Sequence, residues 1–100
     1  LLKFGHMPSS TTSTVFYVYV LESKNTGERY IGYTTDLKRR LEEHCRGLSF
    51  STKSILPIKL VYFEACTDIN DAKRREKYFK TTGGRRFLAK RLKSYYQSKL

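Results

Sequence analysis

The stretch VFYVYVLES, residues 15–23, constrains the fold more than any other part of the chain. Its β-branched and aromatic residues favour an extended backbone. Successive side chains of a strand point to opposite faces, and here both faces are apolar. Such a strand belongs in the interior of a sheet that is covered on each side. The chain has 100 residues, enough for one domain with one modest core. A small sheet with this strand inside and helices on its flanks fits both constraints.

The other segments complete that plan. KNTG after the strand supplies a turn, with Gly27 suited to positive φ, and ERYIGYT (28–34) is the returning strand of a hairpin. Asp36 caps a helix that runs to about Gly47. Leu37, Leu41, His44, Cys45 and Leu48 form its inward stripe, and Arg39–Glu43 and Glu42–Arg46 pair on its outer side. SFSTKSILP is a loop closing at Pro57, and IKLVYFEA (58–65) is a third strand. Asp68, with Asp71 three residues on, caps a second helix over 69–81 that ends at Gly83–Gly84. RRFLAKRLKSYYQSKL is a final helix with Leu88, Leu92, Tyr95 and Tyr96 inward. The expected fold is an α/β domain over 15–100, ordered β-β-α-β-α-α, whose small three-stranded sheet is mostly antiparallel. Residues 1–14 are set apart as a mobile segment in which GHM reads as a cloning remnant before a start at Met7.

Charge narrows the partners. Lysine and arginine number 20 against 9 acidic residues, a formal charge of +11. Such self-repulsion is most simply explained by an anionic partner. With 8 tyrosines and 6 phenylalanines as stacking surfaces, nucleic acid comes before a membrane surface. No apolar run reaches the length of a membrane span, and no segment pairs a lysine-rich face with a clean apolar one. Cys45 and Cys66 lie outside any CxxC pair or metal-ligand spacing, which points to reduced thiols and a cytoplasmic setting. Nothing calls for an obligate protein partner.

Three features carry chemistry. If the hairpin turn centres on residues 25 and 26, Tyr19 lies opposite Gly32 and Leu21 opposite Tyr30, all on one face, with Gly32 leaving room beside two phenols. Cross-strand aromatic packing explains the same pattern. In the first helix, Arg40 and His44 stand one turn apart: a guanidinium that can grip a phosphate with two bonds, and an imidazole that can move a proton. Both also suit the rim of a core. In the second helix the inward stripe is Ile69, Ala72, Glu76 and Phe79. A carboxylate there needs a cation, a hydrogen-bond network or a metal. Mg²⁺ keeps most of its waters and asks for only one or two carboxylates.

Together these residues resemble the GIY-YIG nuclease superfamily. Its first motif stands in degenerate form as Tyr17-Val18-Tyr19 and its second intact as Tyr30-Ile31-Gly32, followed by Arg40 and, in a later helix, Glu76. The likeness covers about residues 15 to 83 and is closest in character to small standalone bacterial members. Modules of this kind also occur in the excision-repair nuclease, homing endonucleases and junction-resolving nucleases. The resemblance implies a divalent-metal-dependent endonuclease using Mg²⁺ or Mn²⁺. Tyr30 would orient or deprotonate the attacking water, with Tyr19 hydrogen-bonded in support. Arg40 would hold the scissile phosphate, His44 would act in proton transfer, Glu76 would be the metal's one protein ligand, and Gly32 would keep the site open. Tyr17, Gly32, Lys38, Arg39, Lys73 and Lys80 are the candidate substrate contacts. The chain departs from the pattern at Tyr17, where the motif has glycine, and at Tyr33, where some members have lysine; it has no asparagine after Asn70. The alternatives are a non-catalytic nucleic-acid-binding module of the same fold and an interaction protein for an acidic partner.

Overall fold

The computed structural model describes residues 14–100, so the expectation for residues 1–14 lies outside the described residues except at Thr14. The elements are β1 (Phe16–Ser23), β2 (Arg29–Thr34), α1 (Leu37–Cys45), a single 3₁₀ turn (Lys53–Ile55), β3 (Ile58–Cys66), α2 (Ile69–Phe79), α3 (Thr82–Arg91) and α4 (Lys93–Gln97). The sheet order is β2-β1-β3, with both pairings antiparallel, so the two-faced apolar strand is the central one. The hairpin register pairs Tyr19 with Gly32 and Leu21 with Tyr30, and Gly27 turns the chain at φ 75°. A bulge between Val20 and Leu21 shifts the pairing with β3 by one residue.

Each sheet face carries its own core. Val18, Val20 and Ile31 are buried against Ala72 and Phe79 of α2 and Leu88 of α3. Tyr19, Leu21 and Ile58 form the opposite cluster, closed by Tyr30, Leu37, Leu41, Ile55, Leu56 and Leu60. The helices therefore divide by face, α1 on one side and α2 with α3 on the other.

Four local expectations are corrected. Gly83 and Gly84 do not end α2; they sit in the first turn of α3, where the Thr81 hydroxyl accepts from the Gly84 N–H at 3.1 Å. A Cβ at Gly84 would stand 2.0 Å from the Tyr78 carbonyl oxygen, so this glycine permits close approach of α3 to the end of α2. The final helix is broken at Leu92, whose backbone (φ −108°, ψ 29°) separates α3 from α4. Cys45 is exposed and Leu48 is 65% exposed, because α1 ends at Cys45 and Gly47 (φ 74°) redirects the chain. Ile69, the first residue of α2, is exposed rather than inward.

A buried carboxylate sits where none was expected. Glu22, on β1, is 2% exposed. It accepts from Tyr95 Oη at 2.6 Å, Tyr96 Oη at 2.9 Å and Lys99 Nζ at 2.7 Å, with Arg29 at 3.7 Å. Burial raises its pKa, but the bonds from Lys99, Tyr95 and Tyr96 outweigh that and hold it below the ordinary value. Its stabilising effect is therefore present above the usual carboxyl range and lost as pH falls through the lowered pKa. Glu22 clamps α4 to the sheet. Glu22→Ala leaves this set of donors without its acceptor and should cost about 3 kcal/mol or more in urea unfolding. Removal of the surface partner in Lys99→Met should cost less. A Glu22→Ala protein as stable as the parent would mean that α4 docks by its aromatic rings alone.

Candidate active site

The register brings the hairpin tyrosines onto the face that α1 covers. The Tyr19 hydroxyl oxygen lies 2.9 Å from Nε2 of His44, and Nδ1 of His44 lies 2.7 Å from the Thr52 hydroxyl. All three residues are buried. Tyr30 packs against both rings, 5.1 Å from the His44 centroid and 6.2 Å from that of Tyr19. Tyr19 thus directs its hydrogen bond to His44 rather than to Tyr30. A Cβ at Gly32 would stand 2.6 Å from the Tyr19 hydroxyl and 2.9 Å from Tyr30 Cε2. The room that Gly32 leaves is filled by the phenols themselves, so the glycine brings them together instead of keeping the site open.

Arg40, one turn before His44, stands at the edge of this cluster. Its guanidinium donates to Glu43 at 2.9 Å and reaches Ser49 Oγ at 3.5 Å. Ser49 and Thr52 come from the loop between α1 and β3, which folds back so that one hydroxyl meets Arg40 and the other His44. Sequence reading passed over both, since nothing in a Ser/Thr-rich loop marks which hydroxyl turns inward. The electrostatics follow the burial. Desolvation pushes the Tyr19 pKa up to about 12, although the Arg40 charge opposes the rise. Desolvation, then the Arg40 charge, push His44 down. At neutral pH the chain therefore holds a protonated phenol and a neutral imidazole. A neutral ring accepts at one nitrogen and donates at the other, so a single proton polarity runs through Tyr19, His44 and Thr52.

The remaining candidates are more dispersed. Tyr17 lies two residues before Tyr19 on the same face, edge-on to Phe63. Lys38, Arg39 and Lys73 are exposed, and Arg39 is 3.9 Å from Glu43. Glu76 belongs to α2, on the other face of the sheet, and makes no hydrogen bond to Tyr19, Tyr30, Arg40 or His44. Its side chain is 24% exposed and, among the described residues, its ion-pair partner is Lys80 at 3.6 Å. Lys80 lies with Ile31 beside β2, the edge strand along which the two faces meet. Among the described residues no three His, Cys, Asp or Glu side chains gather as a metal cage. The donor set fits instead a hard cation held by one carboxylate, with water and phosphate oxygens completing its shell. Glu76 suits that part, with a part-exposed side chain that is only loosely paired.

The chain belongs to the GIY-YIG family: the model of the GIY-YIG catalytic domain matches residues 15–91. It is a family of nucleases that act on nucleic acid and typically depend on divalent metal. Among curated proteins the chain is similar to a UPF0213 protein of Streptococcus agalactiae, 48% identical over 65 residues, or 64% of this chain and 73% of that one. A UPF0213 protein of Streptococcus pneumoniae is 43% identical over 65 residues, covering 64% of this chain and 65% of its own length. One from Desulfotalea psychrophila is 36% identical over 69 residues, covering 66% and 61%. These names state no activity. No solved structure matches the chain.

The buried neutral histidine has a consequence independent of activity. The unfolded ring binds a proton near pH 6.5, the folded ring only at lower pH. Below pH 6.5 the unfolded state holds more protons, so stability rises with pH through that window and is lost on the acid side. The slope should reach at most about 1.4 kcal/mol per pH unit between about pH 5 and 6.5. Chemical unfolding across this range should show the slope in the parent and a flatter one in His44→Gln. Thr52→Val strands Nδ1 and should cost about 1–3 kcal/mol, with Thr52→Ser recovering most of it. An equal slope in the parent and His44→Gln would rule out a buried neutral ring.

Proposed function

We propose that residues 15–100 form one nuclease domain that hydrolyses phosphodiester bonds in nucleic acid, DNA before RNA, with Mg²⁺ or Mn²⁺, in the cytoplasm. The observation that carries this reading is the Tyr19–His44–Thr52 chain with Tyr30 and Arg40 beside it. A fully hydrogen-bonded polar cluster occupies one side of the sheet at a point where packing alone would need only apolar groups. Membership of a nuclease family and a formal charge of +11 support it. No helix among the described residues is long and apolar enough to cross a membrane.

The residues take distinct parts. Arg40 grips the scissile phosphate by exchanging its partly exposed Glu43 pair, which is weak, for two charge-assisted bonds. Its charge then offsets the charge that builds on phosphorus. Tyr30 orients the attacking water. The water's proton passes to the Tyr19 oxygen while Tyr19 gives its own to Nε2 of His44, so the phenol stays neutral, His44 takes the positive charge and Thr52 holds the ring through Nδ1. Glu76 would hold the metal from α2. When bound, the metal would supply Lewis-acid stabilisation of the phosphate and of the leaving oxygen. Lys38, Arg39, Lys73 and Lys80 contact the flanking phosphates.

Incubation with linear and branched substrates, with and without Mg²⁺ or Mn²⁺, tests the reading. Cleavage should require the metal. Tyr30→Phe should lower turnover at least about 100-fold with little change in melting temperature. Glu76→Gln should abolish cleavage, keep or raise nucleic-acid affinity, and hold or improve stability by up to about 1 kcal/mol. A stability loss of up to about 1 kcal/mol would instead mark Glu76 as a structural ion-pair partner of the part-exposed Lys80.

The separation of Glu76 from the tyrosines favours a second reading, a binding module that grips nucleic acid without cutting it. Salt-sensitive binding with no cleavage under any metal would select it. In either case Lys38→Ala and Arg39→Ala should each reduce the salt slope of binding by roughly one. Affinity that is the same at low and moderate salt would exclude both readings.

A further inference from the structure

Beyond Tyr19 the same sheet face opens into a groove of about 740 Å³. Tyr17, Leu37, Leu41 and Phe63 give it apolar walls, and Lys38 stands on its rim. Phe63 is 48% exposed, and Ala65, the next residue of β3 on that face, is exposed as well. It meets Tyr17 edge-on, with centroids 6.1 Å apart and planes at 61°. An edge-on pair leaves at least one ring face open, which is the surface a flat partner stacks on. Asp36 and Glu42 also border the groove, but the Asp36 carboxylate caps α1 by accepting from the Arg39 N–H at 3.1 Å. Its charge is engaged with the helix end.

We propose that this groove is a nucleobase subsite, which takes one unpaired base next to the phosphodiester held at Arg40 and stacks it on Phe63 and Tyr17. This rests on the nucleic-acid reading above. Three observations select the occupant. Tyr17 stands about 7 Å along β1 from Tyr19, so the groove adjoins the reacting phosphate's place. Lys38 stands on its rim from α1 and can take a backbone phosphate, which turns the bases toward the apolar wall. The chain carries a formal charge of +11, so a second copy would be repelled where a polyanion is attracted. A base inside a duplex has both faces already stacked and does not enter. The subsite therefore favours single-stranded, flapped or frayed substrates over continuous duplex.

The test is binding at low salt without divalent metal, using a single-stranded oligonucleotide, a set of the same strands with one abasic position each, and a duplex of equal length. The parent should lose about tenfold in affinity when one particular position is abasic. Phe63→Ala should bind the intact strand about tenfold more weakly and make no distinction between it and that abasic strand. Phe63→Tyr should restore both behaviours, and duplex affinity should not depend on residue 63. Phe63 is half exposed, so thermal melts of these variants should match the parent. Salt-sensitive binding that is indifferent to Phe63, or that falls equally for intact and abasic strands, would overturn the subsite and leave the nucleic-acid reading standing. Sedimentation in which Phe63→Ala dissociates a parent dimer would show that the groove is a contact between copies. A parent that binds no nucleic acid would remove both the reading and the subsite.

Discussion

The structure depends on β1 being covered on both faces while carrying a polar group into each. Toward α1 it sends Tyr19, and toward α4 it sends Glu22. Each is buried, and each is satisfied by partners far away in sequence: His44 for Tyr19, and Tyr95, Tyr96 and Lys99 for Glu22. A buried polar group without a partner costs more than most single contacts return. These two residues therefore specify where α1 and α4 must dock, in a way that apolar packing alone would leave looser. One strand positions both the chemistry on one face and the C-terminal clamp on the other.

Much of this was legible in the sequence, for identifiable reasons. The two-faced apolar strand, the Gly27 turn and the Tyr19–Gly32 pairing follow from alternation and turn chemistry, which are local rules. The Arg40–His44 neighbourhood follows from helical spacing. The carboxylates show the limit of that approach. Helical spacing set Glu76 on the inward stripe, yet its side chain is 24% exposed. The deeply buried acid is Glu22, which shares strand parity with Val18 and Val20 and carried that signal all along. Its position near the end of the strand concealed the burial, because the cover comes from α4, more than 70 residues away. Ser49 and Thr52 were not legible at all, since a loop has no periodicity to orient its side chains.

The placement of Gly32 shows how tightly the site is packed. The glycine lets two phenols and an imidazole approach one another, and its absent side chain is replaced by protein atoms. The polar chain from Tyr19 to Thr52 is therefore dry, and each of its hydrogen bonds is stronger than it would be in water. Dryness also fixes the protonation states. A buried phenol at about 12 and an imidazole pushed down from 6.5 cannot both be charged in this space.

Those states leave the Arg40 guanidinium, with its partner Glu43, as the charged group at the edge of the cluster. Its bond to Glu43 raises its own pKa further, so it is cationic under all physiological conditions. Glu43 and Ser49 orient the guanidinium from the helix and from the loop. The Glu43 contact is about one-third exposed on each side, so solvent screens it and it holds the cation only weakly. A phosphate that accepts two parallel bonds competes well with such a partner. The protein thus keeps an oriented cation next to groups that stay neutral without a ligand, and its net field is complementary to a single phosphodiester anion.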